Sequence, residues 1–133
     1  MDHFPDPISD FDAVGEFHAK FDLPIAGPTS PCFLEPGITA YRQRFMHEEL
    51  CEYAYAHQKR DLAGVADALI DLAYVVLGTA HYHGLPWKDL FAAVHAANMA
   101  KARGDGHRRG PAEKIIKPPG WQAPDLGAIL ARK

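Results

Sequence analysis

Cysteine is scarce in this chain: two residues in 133, Cys32 and Cys51. They form neither a CxxC pair nor a zinc-ligand spacing. That argues against a disulfide framework and a thiolate zinc site, and makes the reducing cytoplasm the expected location. Serine is no more promising as a nucleophile, because Ser9 and Ser30 sit in proline-rich contexts and Cys51 has no evident base partner. No glycine-rich loop of the P-loop type occurs. The basic residues near the end have no aromatic interleaving, so no nucleic-acid partner is expected. The opening MDHFPDP lacks the basic start and apolar run of a signal peptide. No strand-like alternation and no internal repeat stand out.

What is there suffices for a core. Hydrophobic residues make up 47% and charged residues 23%, a balance that folds rather than remains disordered. The length suits one domain over 1–133, with an N-terminal extension at 1–8 and a mobile loop and flap at 103–133. The net charge of −3 is unevenly spread. Residues 1–72 carry 13 acids and 5 bases, and residues 73–133 carry 4 acids and 9 bases. Carboxylates holding metals beside bases holding phosphates would give this pattern. So would a basic tail that neutralises the acidic half or is simply solvated.

The elements read as helices. Ser9 or Asp10 caps a first helix, with Phe11, Val14, Phe17 and Phe21 at helical spacing, and Pro24 ends it. The four prolines and two glycines of 23–37 predict a long connection. A second helix is expected over about Thr39 to Lys59, a third from near Asp61 to Gly84, and a fourth from Pro86 to about Ala102. After Arg103, GDGHRRGPAEK reads as a polar loop and KIIKPPGW as an extended, proline-broken segment. Pro124 and Asp125 start a short last helix. The expected fold is all-α: four main helices in a bundle, a long early loop, and a C-terminal flap with a short helix.

The most informative residues are acids where acids do not belong. From Leu62 to Ala80 every residue is apolar or small except Thr79, Asp67 and Asp71. A membrane span would have to carry both aspartates at its centre, at about 2.5–3.5 kcal/mol each, so a buried core helix is the expected reading and no membrane partner is. A carboxylate on such a helix must be hydrated, paired or bound to a cation. Just upstream, HEELCEY puts Glu48, Glu49 and Glu52 on one stripe of the second helix, because successive residues turn by about 100°. Asp67 and Asp71 are i, i+4 neighbours on the third. The short connection between the two helices lets the stripes face each other. Like charges at that density repel, and a cation reverses the sign. Oxygen-only ligands favour Mg²⁺ or Mn²⁺ over zinc. Such ions neutralise polyphosphates and acidify water, which is the chemistry of phosphoanhydride hydrolysis. Each acid alone has a bland reading as a surface or core-bonded residue; the five together point to a metal site.

On the fourth helix Asn98 falls on the apolar stripe of Trp87, Phe91 and Val94, as a satisfied core amide or a ligand contact. Lys101, one turn on, can reach a phosphate or simply complement the helix end. His81 and His83 form an H-x-H without partners at ligand spacing, so no histidine metal site is expected.

At this point the residues resemble a known family, the MazG-like all-α nucleoside triphosphate pyrophosphatases. The resemblance rests on Glu48-Glu49-Leu50-Cys51-Glu52, on Asp67-Ala68-Leu69-Ile70-Asp71, and on Val94-His95-Ala96-Ala97-Asn98-Met99-Ala100-Lys101. Early Glu16-Phe17-His18 and the tail Lys117-Pro118-Pro119-Gly120-Trp121 with Pro124-Asp125 are similar to small phage and bacterial members. It spans about 14–130. One departure stands out: the usual Glu-x-x-Asp pair has Ala68 in its first place, and the upstream acid is Asp67.

The resemblance implies Glu49, Glu52 and Asp71 as metal ligands, Glu48 as an extra ligand or the base, and Asp67 as the least typical member. It implies nucleotide contacts from Asn98 and Lys101, and from Lys117 and Trp121 in a segment that closes over the substrate. His18 joins that set, and Tyr74, on the stripe of Asp67 and Asp71, lines the pocket. The implied activity is Mg²⁺- or Mn²⁺-dependent conversion of a (deoxy)nucleoside triphosphate to monophosphate and pyrophosphate by a homodimer or homotetramer, with dGTP or dATP as the favoured substrates. Two alternatives remain: a phosphoribosyl-ATP pyrophosphohydrolase, and a non-catalytic helical protein that binds a nucleotide or metal.

Overall fold

The computed structural model describes residues 6–104 and 114–132. Most of the expected polar loop after Arg103, and the start of the N-terminal extension, lie outside them. The described chain is helical, with one small antiparallel hairpin: α1 (Asp10–Lys20), α2 (Pro36–Gln58), α3 (Leu62–Tyr82), α4 (Trp87–Met99), β1 (Ala102–Arg103), β2 (Ile115–Ile116) and α5 (Leu126–Leu130). It forms two compact units, Met1–Leu85 and Pro86–Lys133.

In the first unit, caps set the helix starts. Ser9 accepts from the Asp12 amide at 3.2 Å, and Asp61 accepts from the Gly64 amide at 3.0 Å; each satisfies a donor that the first helical turn leaves open. Pro24 does not end α1. The helix stops at Lys20, Phe21 is its C-cap, and Asp22 takes a left-handed φ of 55°. Between α2 and α3 the chain reverses in three residues, with Arg60 at φ 59°. The reversal lays the two long helices antiparallel, as the short connection required.

Their contacts fix the register. At the hairpin end Ala56 and Ala68 are buried, small enough for close approach. At the far end the Arg42 guanidinium, 9% exposed, donates to the Val75 carbonyl at 2.9 Å and to Thr79 Oγ1 at 3.0 Å. Midway, Glu49 and Glu52 come to face Asp71. By length and composition α3 could cross a membrane. Its two aspartates and its packing against α1 and α2 are instead those of a core helix.

α1 is pinned to α3 by two buried histidines, each 2% exposed. His18 Nδ1 donates to the Pro24 carbonyl at 2.6 Å. His81 Nδ1 accepts from the Ala26 amide at 3.1 Å, so its Nε2 donates to the Phe11 carbonyl, 2.8 Å away. The His81 ring also stacks on Phe11 at 3.9 Å. Burial, and then the charges of His81 and Arg42, hold the His18 imidazole below its usual pKa, against the pull of its Pro24 bond. Gly84, at φ 64°, lets the chain turn tightly beneath the Thr29 and Ser30 carbonyls, where no side chain fits.

Gly78 is equally constrained. A Cβ there would lie 2.7 Å from Arg42 Nη2 and 3.0 Å from His18 Nε2, both fixed by hydrogen bonds. Gly78→Ala is expected to destabilise the fold by about 1–3 kcal/mol, the usual result of overpacking. A urea denaturation midpoint checks this.

In the second unit α4 and α5 pack together, and β1 pairs with β2 in the register Ala102–Ile116 and Arg103–Ile115. The fourth helix ends three residues earlier than expected, and the hairpin takes over where no strand was predicted. Asp125 caps α5 by accepting from the Ala128 amide at 3.0 Å.

Candidate metal centre

The acids of α2 and α3 converge in part. One carboxylate oxygen from each of Glu49, Glu52 and Asp71 lies within 4.8 Å of the other two. Helix geometry explains the choice: Glu49 and Glu52 are i, i+3 on one helix, and Asp71 arrives from the antiparallel partner at the same level. Asp67, one turn earlier on α3, is exposed but acts electrostatically on both Glu49 and Asp71. Glu48 is exposed on α2 and is not grouped with the three.

The electrostatics mark an unfinished site. Glu49 Oε2 is buried with no hydrogen-bond partner among the described residues. The Glu49 carboxyl is pushed up to about 7, first by desolvation, then by a hydrogen bond shared with Glu52 and the charges of Glu52, Asp71 and Asp67. Asp71 is raised too, by desolvation and then by Asp67 and Glu52. No lysine or arginine figures among the causes of either shift. The chemistry of the donor set fits a hard divalent cation. It is oxygen-only, it carries an orphaned acceptor, and its spread compares with the ~4.2 Å between opposite oxygens across a six-coordinate Mg²⁺.

The remaining candidates fall into three places. Tyr74, 37% exposed, lies on α3 one turn past Asp71 and meets Phe17 edge-on at 5.4 Å. His18 is enclosed in the α1–α3 contact described above, with Tyr82 edge-on at 5.5 Å, and is not brought to the acids. In the second unit the Trp121 indole donates from Nε1 to the Ala97 carbonyl at 2.7 Å, and two ammonium groups lie over its ring, Lys101 at 5.3 Å and Lys117 at 4.9 Å from the centroid. Asn98 is exposed on α4 in the same unit. His83 donates to the Cys32 carbonyl at 2.8 Å, so among the described residues both members of the H-x-H serve backbone groups. Sequence reasoning missed the buried Arg42. Its signal was the glycine at 78, which leaves room for a guanidinium.

Facing helices that present clustered carboxylates fit the fold of the all-α nucleotide pyrophosphohydrolases. The family model for phosphoribosyl-ATP pyrophosphohydrolase matches residues 14–98, from within α1 to the last turn of α4, and the chain belongs to that family. The family lies within the MazG-like all-α pyrophosphatase superfamily. Membership makes the chain a hydrolase of phosphoanhydride bonds with a nucleotide substrate. No curated protein matches it.

Proposed function

We propose that this chain is a Mg²⁺- or Mn²⁺-dependent pyrophosphohydrolase of a (deoxy)nucleoside triphosphate, of the small MazG-like type, with a purine deoxynucleotide such as dGTP or dATP as substrate. The observation that carries the reading is the orphaned, desolvated Glu49 carboxylate facing Glu52 and Asp71. Glu49, Glu52 and Asp71 hold the cation, with Asp67 behind them. When bound, the ion neutralises the polyphosphate and acidifies water.

The reaction adds a water oxygen to the α-phosphorus and breaks its bond to the bridging oxygen, so pyrophosphate leaves. The water proton needs an acceptor. Glu48, exposed on α2 next to the ligand Glu49 in sequence, is that base or an extra ligand. Lys101 and Lys117 offer ammonium groups for phosphate oxygens, and Trp121 offers a flat face for the nucleotide. Asn98, exposed on the same unit, contributes a neutral donor and acceptor. Tyr74 belongs to this set through the family resemblance, whereas His18, enclosed between α1 and α3, acts on it only by holding α1 in place. A homodimer or homotetramer is supported by apolar side chains left open on α3, with Leu62 at 80% and Ile70 at 65% exposure.

A panel of natural nucleoside and deoxynucleoside triphosphates, with phosphoribosyl-ATP included, tests the reading by pyrophosphate release with Mn²⁺. Turnover of a triphosphate that stops on chelation is the expected result. Turnover of phosphoribosyl-ATP alone would favour the family's named reaction, and no turnover of any nucleotide would leave a binding protein.

A further inference from the structure

Arg42 is a buried cation that the chemistry above leaves without a task. It is 9% exposed, and no carboxylate pairs with it among the described residues. It grips α3 at two points instead. Nη2 donates to the Val75 carbonyl at 2.9 Å, and Nε donates to Thr79 Oγ1 at 3.0 Å. The Thr79 hydroxyl accepts from Arg42 and donates its own proton to the same Val75 carbonyl at 2.7 Å, so the three groups close a ring. The guanidinium carbon lies 5.0 Å from the Tyr82 ring centroid and 5.9 Å from that of Phe45. Among the described residues, the hydrogen bonds that cross from α2 to α3 are those of Arg42 alone.

The acids lie on the same seam. Arg42, Glu49 and Ala56 recur every seven residues, or two turns, along the face of α2 that meets α3. Val75 is one turn beyond Asp71. Glu49, Glu52 and Asp71 bring one oxygen each within 4.8 Å of the other two, and a slip of one residue between the helices, about 1.5 Å, is about a third of that distance. Without a cation the acids do not resist such a slip, because like charges push apart. Ala56 and Ala68 pack closely at the hairpin end but carry no directional bond. The reversal at 59–61 holds one end of the helix pair, and Arg42 holds the other. A guanidinium is a poor choice for stability alone. It gives up its hydration on burial, and an apolar side chain of similar size is often neutral or stabilising in such a place. What the apolar side chain lacks is direction.

We propose that Arg42 is a positioning residue of the metal centre, whose two-point grip on Val75 and Thr79 holds α3 at the register that sets Asp71 opposite Glu49 and Glu52. The proposal rests on the metal-dependent reading above. Arg42 acts through geometry, two turns from the nearest of the three ligands on its own helix.

The test compares full-length wild type with Arg42→Met, Arg42→Lys and Thr79→Val. Mn²⁺ binding without nucleotide is followed by titration calorimetry and by electron paramagnetic resonance of the bound ion. Pyrophosphate release and urea midpoints in chelator are measured alongside. Arg42→Met fills the space and leaves the Val75 carbonyl its bond from Thr79, so its midpoint in chelator should stay near wild type. Its Mn²⁺ affinity should fall about 10- to 100-fold, the usual result of removing a group that orients metal ligands. Its bound-ion spectrum should change, and excess Mn²⁺ should restore most of the turnover, because the ligands themselves are intact. Arg42→Lys keeps the charge but reaches one acceptor where the fork reaches two, so it should regain no more than about threefold of the lost affinity. Thr79→Val removes one of the two grips and should weaken Mn²⁺ binding by a smaller factor; it carries the same comparison if Arg42→Met does not fold. Wild-type Mn²⁺ affinity in Arg42→Met or in a folded Thr79→Val, or full recovery in Arg42→Lys, would overturn the positioning role and leave the metal centre standing. So would a loss of affinity that only parallels a loss of stability in chelator. A wild-type protein that takes up no Mn²⁺ would remove the metal centre and this role together.

Discussion

Asp71→Asn is expected to lower kcat by about three orders of magnitude and, in the same molecule, to raise the melting temperature of the metal-free protein. The two effects have one cause. Asp71 contributes one of three carboxylate oxygens gathered within 4.8 Å. Its proton affinity is raised by desolvation and by Asp67 and Glu52. In the absence of a cation the group is a liability, because burial and like charge both oppose its ionised form. An amide of the same shape removes the charge and relieves the repulsion. With a cation the sign reverses. A lost anionic ligand costs several kcal/mol of charge stabilisation on the reacting phosphates, and each 1.36 kcal/mol is about a factor of ten in rate. Pyrophosphate release measures the first effect, Mn²⁺ titration the loss of affinity, and thermal unfolding in chelator the second. A variant that keeps wild-type turnover, or one that is less stable than wild type in chelator, would contradict the picture of a strained cation site. The parallel substitution Glu48→Gln separates the two roles open to that residue. Lost turnover with Mn²⁺ affinity retained marks a base, and loss of both marks a ligand.

The acids were legible in the sequence for a reason that does not depend on the fold. An aspartate on an otherwise apolar helix is anomalous wherever that helix packs, and Asp71 turned out to face the glutamates of α2. Which of the five acids meet was less legible. A helical wheel places Glu48 and Glu52 about 40° apart, yet Glu48 is exposed outside the trio, because the crossing of two helices admits a narrower stripe than one wheel suggests.

Caps were readable because they are local: Ser9, Asp61 and Asp125 each sit where their side chains close a first turn. The hairpin was not. Two residues per strand, Ala102–Arg103 and Ile115–Ile116, are too few for alternation to register, and their pairing spans a loop. His18 and His81 were opaque for another reason. Nothing in a histidine's neighbours announces that its ring will be buried against a backbone carbonyl from a distant segment. Asp10 was read as a helix-capping acid. Ser9 takes that cap, and Asp10 sits inside the first turn of α1.

The metal-free protein is expected to lose stability as the pH rises from 6.5 to 8, the opposite of ordinary acid denaturation. Glu49 has an ordinary value of 4.5 and is raised to about 7 in the fold. Between those values the folded state binds more protons than the unfolded state, so stability falls with rising pH. The contribution is complete below the unfolded value and is lost as the pH climbs through about 7; Asp71, also raised, acts in the same direction. His18 works the other way. Its lowered affinity supports the fold above its ordinary value of 6.5, and that support is lost as the pH falls below it. Above pH 6.5 the opposition from His18 fades as the unfolded imidazole loses its proton, and the acids set the sign. Saturating Mn²⁺ should invert the slope, because the ion binds the deprotonated carboxylates and competes with their protons. At a concentration a hundred times its Kd it adds about 2.7 kcal/mol to the folded state. Urea midpoints at pH 6.5, 7.25 and 8, in chelator and in Mn²⁺, measure both slopes. Glu49→Gln should flatten the chelator series and His18→Gln should not. A chelator series that rises with pH, or a slope that survives the loss of the Glu49 charge, would show that the carboxylates are already satisfied without a cation.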